Sequence, residues 1–158
     1  MASLTLALAL AATALDGVLC GASLDQSIKQ LPARHRMGAV AFSTYSRAAD
    51  LGNGIVWYAT LGIGAALVTI AAAATGLIAG IPFAQSLPLL VAAILSILHS
   101  LATTQAAPVS FSQRKVANDA AALARVFDRF ARWQTPRALL QALTFAAMLW
   151  ALVVIPRP

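Results

Sequence analysis

The segment 51–113, LGNGIVWYATLGIGAALVTIAAAATGLIAGIPFAQSLPLLVAAILSILHSLATTQAAPVSFSQ, contains no Lys, Arg, Asp or Glu. A helix needs roughly 20 mostly apolar residues to cross the hydrocarbon core of a bilayer. This run is long enough for two such helices, and Gly80-Ile81-Pro82 divides it with a turn signal too short to hold a domain. Residues 51–78 and 87–107 therefore read as a tight helical hairpin, with Pro108 as the stop of its second arm.

Working outward, the same pattern recurs at both ends. Only Asp16 interrupts the apolar run from Met1 to Leu24, and no charge occurs from Ala138 to Pro156. Spans are expected at about 4–24 and 136–155. Thr135-Pro136 supplies an N-cap followed by proline at the first helical position, and Pro156 supplies a stop. Hydrophobic residues make up 60% of the 158-residue chain and charged residues 10%. A soluble domain would carry about a quarter charged residues to cover its surface. The expected fold is all-α: a single-domain integral membrane four-helix bundle.

The first span lacks a positive leading segment and a small-x-small cleavage site, so it reads as a retained span and not as a signal peptide. Cys20 is the only cysteine, which excludes an intrachain disulfide and a cysteine-based zinc site. Leu19 stands before it where a lipoprotein anchor would have a small residue, so Cys20 reads as a packing residue. Gly17-x-x-x-Gly21 permits close helix approach but is too common in such helices to decide self-association, and a homo-oligomer stays open.

The net charge of +6 is concentrated in two polar connections. The first, residues 23–50, holds Lys29, Arg34, Arg36 and Arg47. The second, residues 108–137, holds Arg114, Lys115, Arg125, Arg129, Arg132 and Arg137. The hairpin turn has no cation and the C-terminal tail has only Arg157. Placement beside membrane spans points to lipid as the partner and away from nucleic acid. With four spans both connections fall on one side. The positive-inside rule puts them in the cytoplasm and both termini outside, in a plasma membrane of bacterial type. In the second connection Val116, Ala120, Leu123, Phe127 and Phe130 recur at helical spacing, which predicts an additional amphipathic helix that caps the bundle or lies in the cytoplasmic interface, a structural cover in preference to a partner-binding helix, with Trp133 at headgroup depth.

Polar groups at membrane depth are costly, and they concentrate function. Asp16 and His99 each lie about eight residues from the same end of their spans, roughly 12 Å deep at the helical rise. The two are the candidate catalytic residues if they meet, since a carboxylate and an imidazole suit acid–base chemistry or proton transfer; a purely structural hydrogen bond is the alternative. A histidine-rich metal site is disfavoured because His35 belongs to the first basic connection, and no metal site is assigned. A second cluster gathers where the spans meet the basic connections. Tyr45, Arg47, Asp50, Asn53, Trp57 and Tyr58 lead into the second span, and Thr103, Thr104 and Gln105 end the third. Arg132, Trp133 and Arg137 open the fourth. These would suit a hydrophobic, amphipathic small molecule carrying an anionic group, although interfacial Trp, Tyr and Arg are also ordinary membrane anchors. GxSxG, HExxH, CxxC and a glycine-rich phosphate loop are all missing, so no cofactor is evident from motifs. Gly52-Asn53-Gly54 reads as a bend at the start of a helix.

The layout, with Leu101-Ala-Thr-Thr-Gln-Ala-Ala-Pro108, Asn118, Arg132-Trp133 and Arg137, resembles the anthrone oxygenase-like family of small four-helix membrane proteins. The chain departs from that pattern at Ser110, where the family tends to have asparagine. The resemblance implies oxidation of an anthrone, an aromatic polyketide-like substrate, by molecular oxygen. In that reading His99 and Asp16 would act as base and orienting acid while Arg132 and Arg137 hold a phenolate. A non-enzymatic carrier or an accessory subunit with a structural polar core is the competing reading. An enzyme calls for a closed pocket with one mouth, a carrier for a path to both faces, and an accessory subunit for no cavity.

Overall fold

A computed structural model describes residues 1–116 and 118–155. Pro156 and Arg157, the expected stop and the tail cation, lie outside the described residues. The chain is all-helical, with no strand among the described residues. Its helices are α1 (Ala2–Asp25), α2 (Leu31–Met37), α3 (Ala39–Ala48), α4 (Gly54–Ile78), α5 (Phe83–Ser112) and α6 (Ala120–Val154). Wide π-helical turns at Gln26–Gln30 and Ala49–Asn53 join α1 to α2 and α3 to α4. Four helical stretches are long and apolar enough to cross a membrane, one in each of the expected places.

The bundle closes in the order α1, α4, α5, α6, each helix packing on the next and α6 returning to α1. Its core is built largely from alanine: Ala9 and Ala12, Ala72 and Ala73, Ala92, Ala147 and Ala151 surround Leu89 and Met148. Small side chains let backbones approach, and dispersion between close helices replaces the hydrophobic drive that lipid cannot supply. Gly17 takes part in this packing within the chain, because the ring of Phe145 on α6 lies 3.0 Å from where its Cβ would be. The α4–α5 hairpin turns at Gly80, whose φ of +67° suits a residue without a side chain, and Pro82 caps α5.

Two expected boundaries are moved. Pro108 does not end the third span, and Thr135-Pro136 does not begin the fourth: α5 runs through Pro88 and Pro108, and α6 runs unbroken through Pro136. An internal proline removes one ladder hydrogen bond, which a long helix packed along its length tolerates, as membrane helices commonly do. The N-cap of α6 is Asp119, whose carboxylate accepts from the Ala122 amide at 2.9 Å. The amphipathic stretch of the second connection is therefore the first half of α6 and not an additional helix.

With 35 residues, α6 is about 52 Å long, well beyond the roughly 30 Å of a hydrocarbon core. The surplus forms a cap with α2, α3 and the end of α5. Leu31, Phe42, Ala106, Leu123, Phe127 and Phe130 fill it, and Phe42 meets Phe127 edge-on at 4.9 Å. The first basic connection is therefore helical, turning only at Gly38. Arg34 joins the two basic connections directly, donating to Asp128 at 2.7 Å and to the Phe127 carbonyl at 3.3 Å. Both connections thus lie at one end of the bundle, and the α4–α5 turn lies at the other.

Candidate functional site

Between α4 and α5, in the half of the bundle nearer the cap, lies a cavity of about 460 Å³. Its walls are mainly apolar, with Leu19, Ile55, Gly62, Ile63 and Phe130 among them. Asp50, Tyr58, His99, Thr103 and Arg137 stand on its wall, together with Ser and Thr hydroxyls and Gln26. This is the composition of a small-molecule pocket, apolar walls with a small set of convergent polar groups. A shallower hollow of about 160 Å³ on the cap contains Arg34 and His35, but Arg34 is already bound to Asp128.

The wide turns that flank the cap build the cavity's upper wall. A π turn inserts an extra residue and rotates the faces beyond it. That rotation brings Gln26 from the first turn, and Asp50 and Leu51 from the second, onto the cavity. Gly52 has non-helical torsions of −93° and −120° here, the bend expected from Gly52-Asn53-Gly54. Gly54 admits no side chain, since a Cβ would stand 2.7 Å from the Ala49 carbonyl oxygen. Asp50 accepts a hydrogen bond from Ser46 Oγ at 3.0 Å. Above it Gln113, fully buried, donates to Ser46 and accepts from Ser43, while Arg114 Nη2 donates to the Leu51 carbonyl at 2.6 Å.

Arg137 is held from two sides by neutral partners. Nε donates to Thr103 Oγ1 on α5 at 3.0 Å, and Nη1 donates to Gln134 Oε1, one turn back on α6, at 2.6 Å. Gln134 in turn donates to the Ser23 carbonyl and to Ser27 Oγ on the first helical stretch. No carboxylate among the described residues forms an ion pair with Arg137. His99 lies one turn before Thr103 on α5, is 5% exposed, and its Nε2 has no hydrogen-bond partner among the described residues. A buried polar nitrogen without a partner costs stability, which singles out His99 among the residues of the cavity wall.

Asp16 stands elsewhere. It is fully buried, accepts from Thr69 Oγ1 of α4 at 2.8 Å and from Gln141 Nε2 of α6 at 3.0 Å, and forms no bond with His99. The helix order explains this, since α1 has α4 and α6 as its neighbours while His99 is on α5. Of the mouth cluster, the structure brings Asp50, Tyr58, Thr103, Thr104 and Arg137 onto the cavity. Tyr45, Arg47, Asn53, Trp57, Gln105, Arg132 and Trp133 do not line it. Arg47 turns back to the Ser43 carbonyl, and Tyr45, Asn53, Trp57, Gln105, Arg132 and Trp133 are exposed. Sequence reasoning passed over Thr69, Gln134 and Gln141, the buried polar partners. Their signal was available, since an amide in an otherwise apolar span is as unusual as a charge.

Among the described residues no group of three or more His, Cys, Asp or Glu side chains could hold a metal ion. Comparison of the chain with protein-family models, with curated proteins and with solved structures gave no match. The class defined by fold and site is therefore an all-helical chain with four helices apt for a membrane and an apolar cavity carrying an arginine and a histidine.

Proposed function

We propose that the chain is an integral membrane enzyme that binds a hydrophobic, weakly acidic aromatic molecule in the α4–α5 cavity and oxidises it with molecular oxygen. The observation that carries the reading is the pairing, on the wall of one apolar cavity, of an arginine without a carboxylate partner among the described residues and a buried histidine whose Nε2 has no hydrogen bond among them. The reaction class comes from the resemblance to the anthrone oxygenase-like family.

The chemistry such a site would perform needs few groups. The neutral imidazole of His99, on the cavity wall, carries one ring nitrogen with a free lone pair, which takes a proton from the acidic ring CH₂ of the substrate. The enolate oxygen that gains charge is met by the Arg137 guanidinium, already oriented by Thr103 and Gln134. Oxygen, itself apolar, adds at the deprotonated carbon to give a hydroperoxide. Loss of water leaves a carbonyl, so CH₂ and O₂ become C=O and H₂O with electrons balanced. Asp16, clasped between α4 and α6, holds helices in this scheme and does not orient His99. The lining residues all belong to the cap half, and the alanine core fills the other half, which favours a one-mouthed pocket over a carrier path. The excess of cations at the cap supports a cytoplasmic cap with both termini outside, in a plasma membrane of bacterial type.

The test is oxygen uptake by the reconstituted protein with a panel of anthrones. Uptake above the uncatalysed rate is expected, and His99→Ala lowers it by roughly 10²–10⁴-fold, the usual contribution of a positioned base. Full activity in His99→Ala removes that residue from the mechanism. Uptake at the uncatalysed rate across the whole panel removes the enzyme reading in favour of a carrier or accessory role.

A further inference from the structure

Gly76 and Gly62, four turns apart on α4, mark two different separations between α4 and α5. A Cβ on Gly76 would stand 3.1 Å from Leu89 Cδ1, so near the hairpin turn the helices touch. A Cβ on Gly62 would meet nothing within 4 Å, and Gly62 lines the cavity. The two helices are joined by the turn at Gly80 and packed together at Gly76, and the open position at Gly62, a slot beside the cavity, lies about 21 Å from Gly76 along α4.

The slot faces sideways, out of the bundle. Ile63 and Phe111, 62% and 41% exposed, stand on its two edges and line the cavity at the same time. The surfaces flanking it, Leu67 on α4 and Leu101 on α5, are exposed and apolar. No charge occurs on either helix across this face. Leu19 of α1 and Phe130 of α6 stand behind it, and Leu51, which Arg114 holds by its carbonyl, lies at its cap end.

We infer that this slot is a lateral portal, through which a ligand passes from the hydrocarbon phase of the bilayer into the cavity. The inference rests on the reading above that the cavity is a binding site. It adds the source and class of the occupant: a lipid-dissolved, compact molecule with one acidic oxygen. The apolar body passes between Gly62 and α5 while the oxygen is drawn inward to Arg137. A water-borne solute would have to cross the cap, where Ser43, Ser46 and Gln113 are buried and mutually hydrogen-bonded.

Two measurements on the full chain in proteoliposomes test it, both in a Cys20→Ser background. Spin labels on Gly62→Cys and on Ile63→Cys are compared with one on Arg36→Cys, an exposed cap position. The first two are expected to relax with oxygen and to resist a water-soluble nickel chelate, and the third to do the reverse. Nickel access at position 62 equal to that at position 36 overturns the portal. The second measurement is the rate of uptake of naphthol, a fluorescent lipid-soluble phenol. Gly62→Trp, which fills the slot, is expected to slow its uptake from the bilayer about tenfold or more. Gly64→Trp, off the cavity and with nothing within 4 Å of its Cβ, should leave it unchanged. Ala59→Trp is a second plug from an exposed position, should Gly62→Trp not fold. An undiminished rate of uptake in a folded plug variant overturns the route. If the unsubstituted protein binds no naphthol although position 62 reads as lipid, the binding-site reading fails while the sideways opening stands.

Discussion

Gln141 and Asp16 are joined twice: the Gln141 side-chain amide donates to Asp16 Oδ1 at 3.0 Å and to the Asp16 backbone carbonyl at 3.2 Å. With Thr69 on the other carboxylate oxygen, three helices converge on one buried acid. In an apolar surrounding such a group is stable only while its acceptor sites are met. The arrangement ties α1 to both of its neighbours at mid-bundle.

Removing the amide should therefore loosen the bundle. Gln141→Leu is expected to lower stability by about 1–2 kcal/mol, between the modest mean for interhelical hydrogen bonds in membranes and the cost of a stranded buried acceptor. Asp16→Asn keeps the shape and an acceptor for Thr69, and should cost less. Unfolding in mixed micelles measures both. A double-mutant cycle of Asp16→Ala with Gln141→Ala giving no coupling energy would show that the contact carries nothing.

Arg137 should govern recognition of the acidic group. Arg137→Gln removes the charge while keeping a donor near Thr103, and is expected to weaken binding of anthracenecarboxylate roughly 10- to 100-fold, the worth of a charge-assisted hydrogen bond. Arg137→Lys should recover only part of it, because an ammonium cannot meet Thr103, Gln134 and a ligand in one plane. Equal affinity in all three forms, by fluorescence titration, would place the anion elsewhere.

The cap has its own weak point at Phe42, 3% exposed and edge-on to Phe127. Phe42→Ala should cost about 3–5 kcal/mol of the cap's stability. Because the aromatic layer lies outside the alanine core, the four long helices should persist. Limited proteolysis within residues 31–48 is expected to speed up while helical circular dichroism changes little. A parallel loss of all helicity would mean that cap and bundle unfold as one.

Orientation can be read by labelling. Thr44 on the cap and Ala84 beside the hairpin turn are exposed positions at opposite ends. In a Cys20→Ser background, an impermeant maleimide applied from outside should label Ala84→Cys and spare Thr44→Cys. Labelling of both from one side would contradict the topology.

The register of the proline-containing helices shows where the sequence alone falls short. Pro108 and Thr135-Pro136 carry ordinary stop and start signals, yet α5 and α6 pass through them. Those signals describe a local preference of a few kcal/mol. Packing along helices of 30 and 35 residues outweighs it, and that packing is a property of neighbours. The clustering of Asp50, Thr103 and Arg137 was legible, because all three lie where spans meet the basic connections. Which of their companions face inward was not, since Trp57 and Tyr58 are adjacent in sequence and only Tyr58 turns to the cavity.

The number of long apolar helices, the hairpin at Gly80-Ile81-Pro82 and the gathering of cations at one end were determined by the sequence itself. Each follows from the cost of placing a charge or an open backbone group in hydrocarbon, which is a local quantity summed along the chain. The partner of Asp16 was decided only by the tertiary structure. Depth along a span can be counted from the sequence, and it made His99 a candidate. Which helix stands beside which, and which way each face turns, depends on how alanines and glycines let the backbones approach. That packing set α1 against α4 and α6, gave Asp16 to Thr69 and Gln141, and put His99 on the cavity wall.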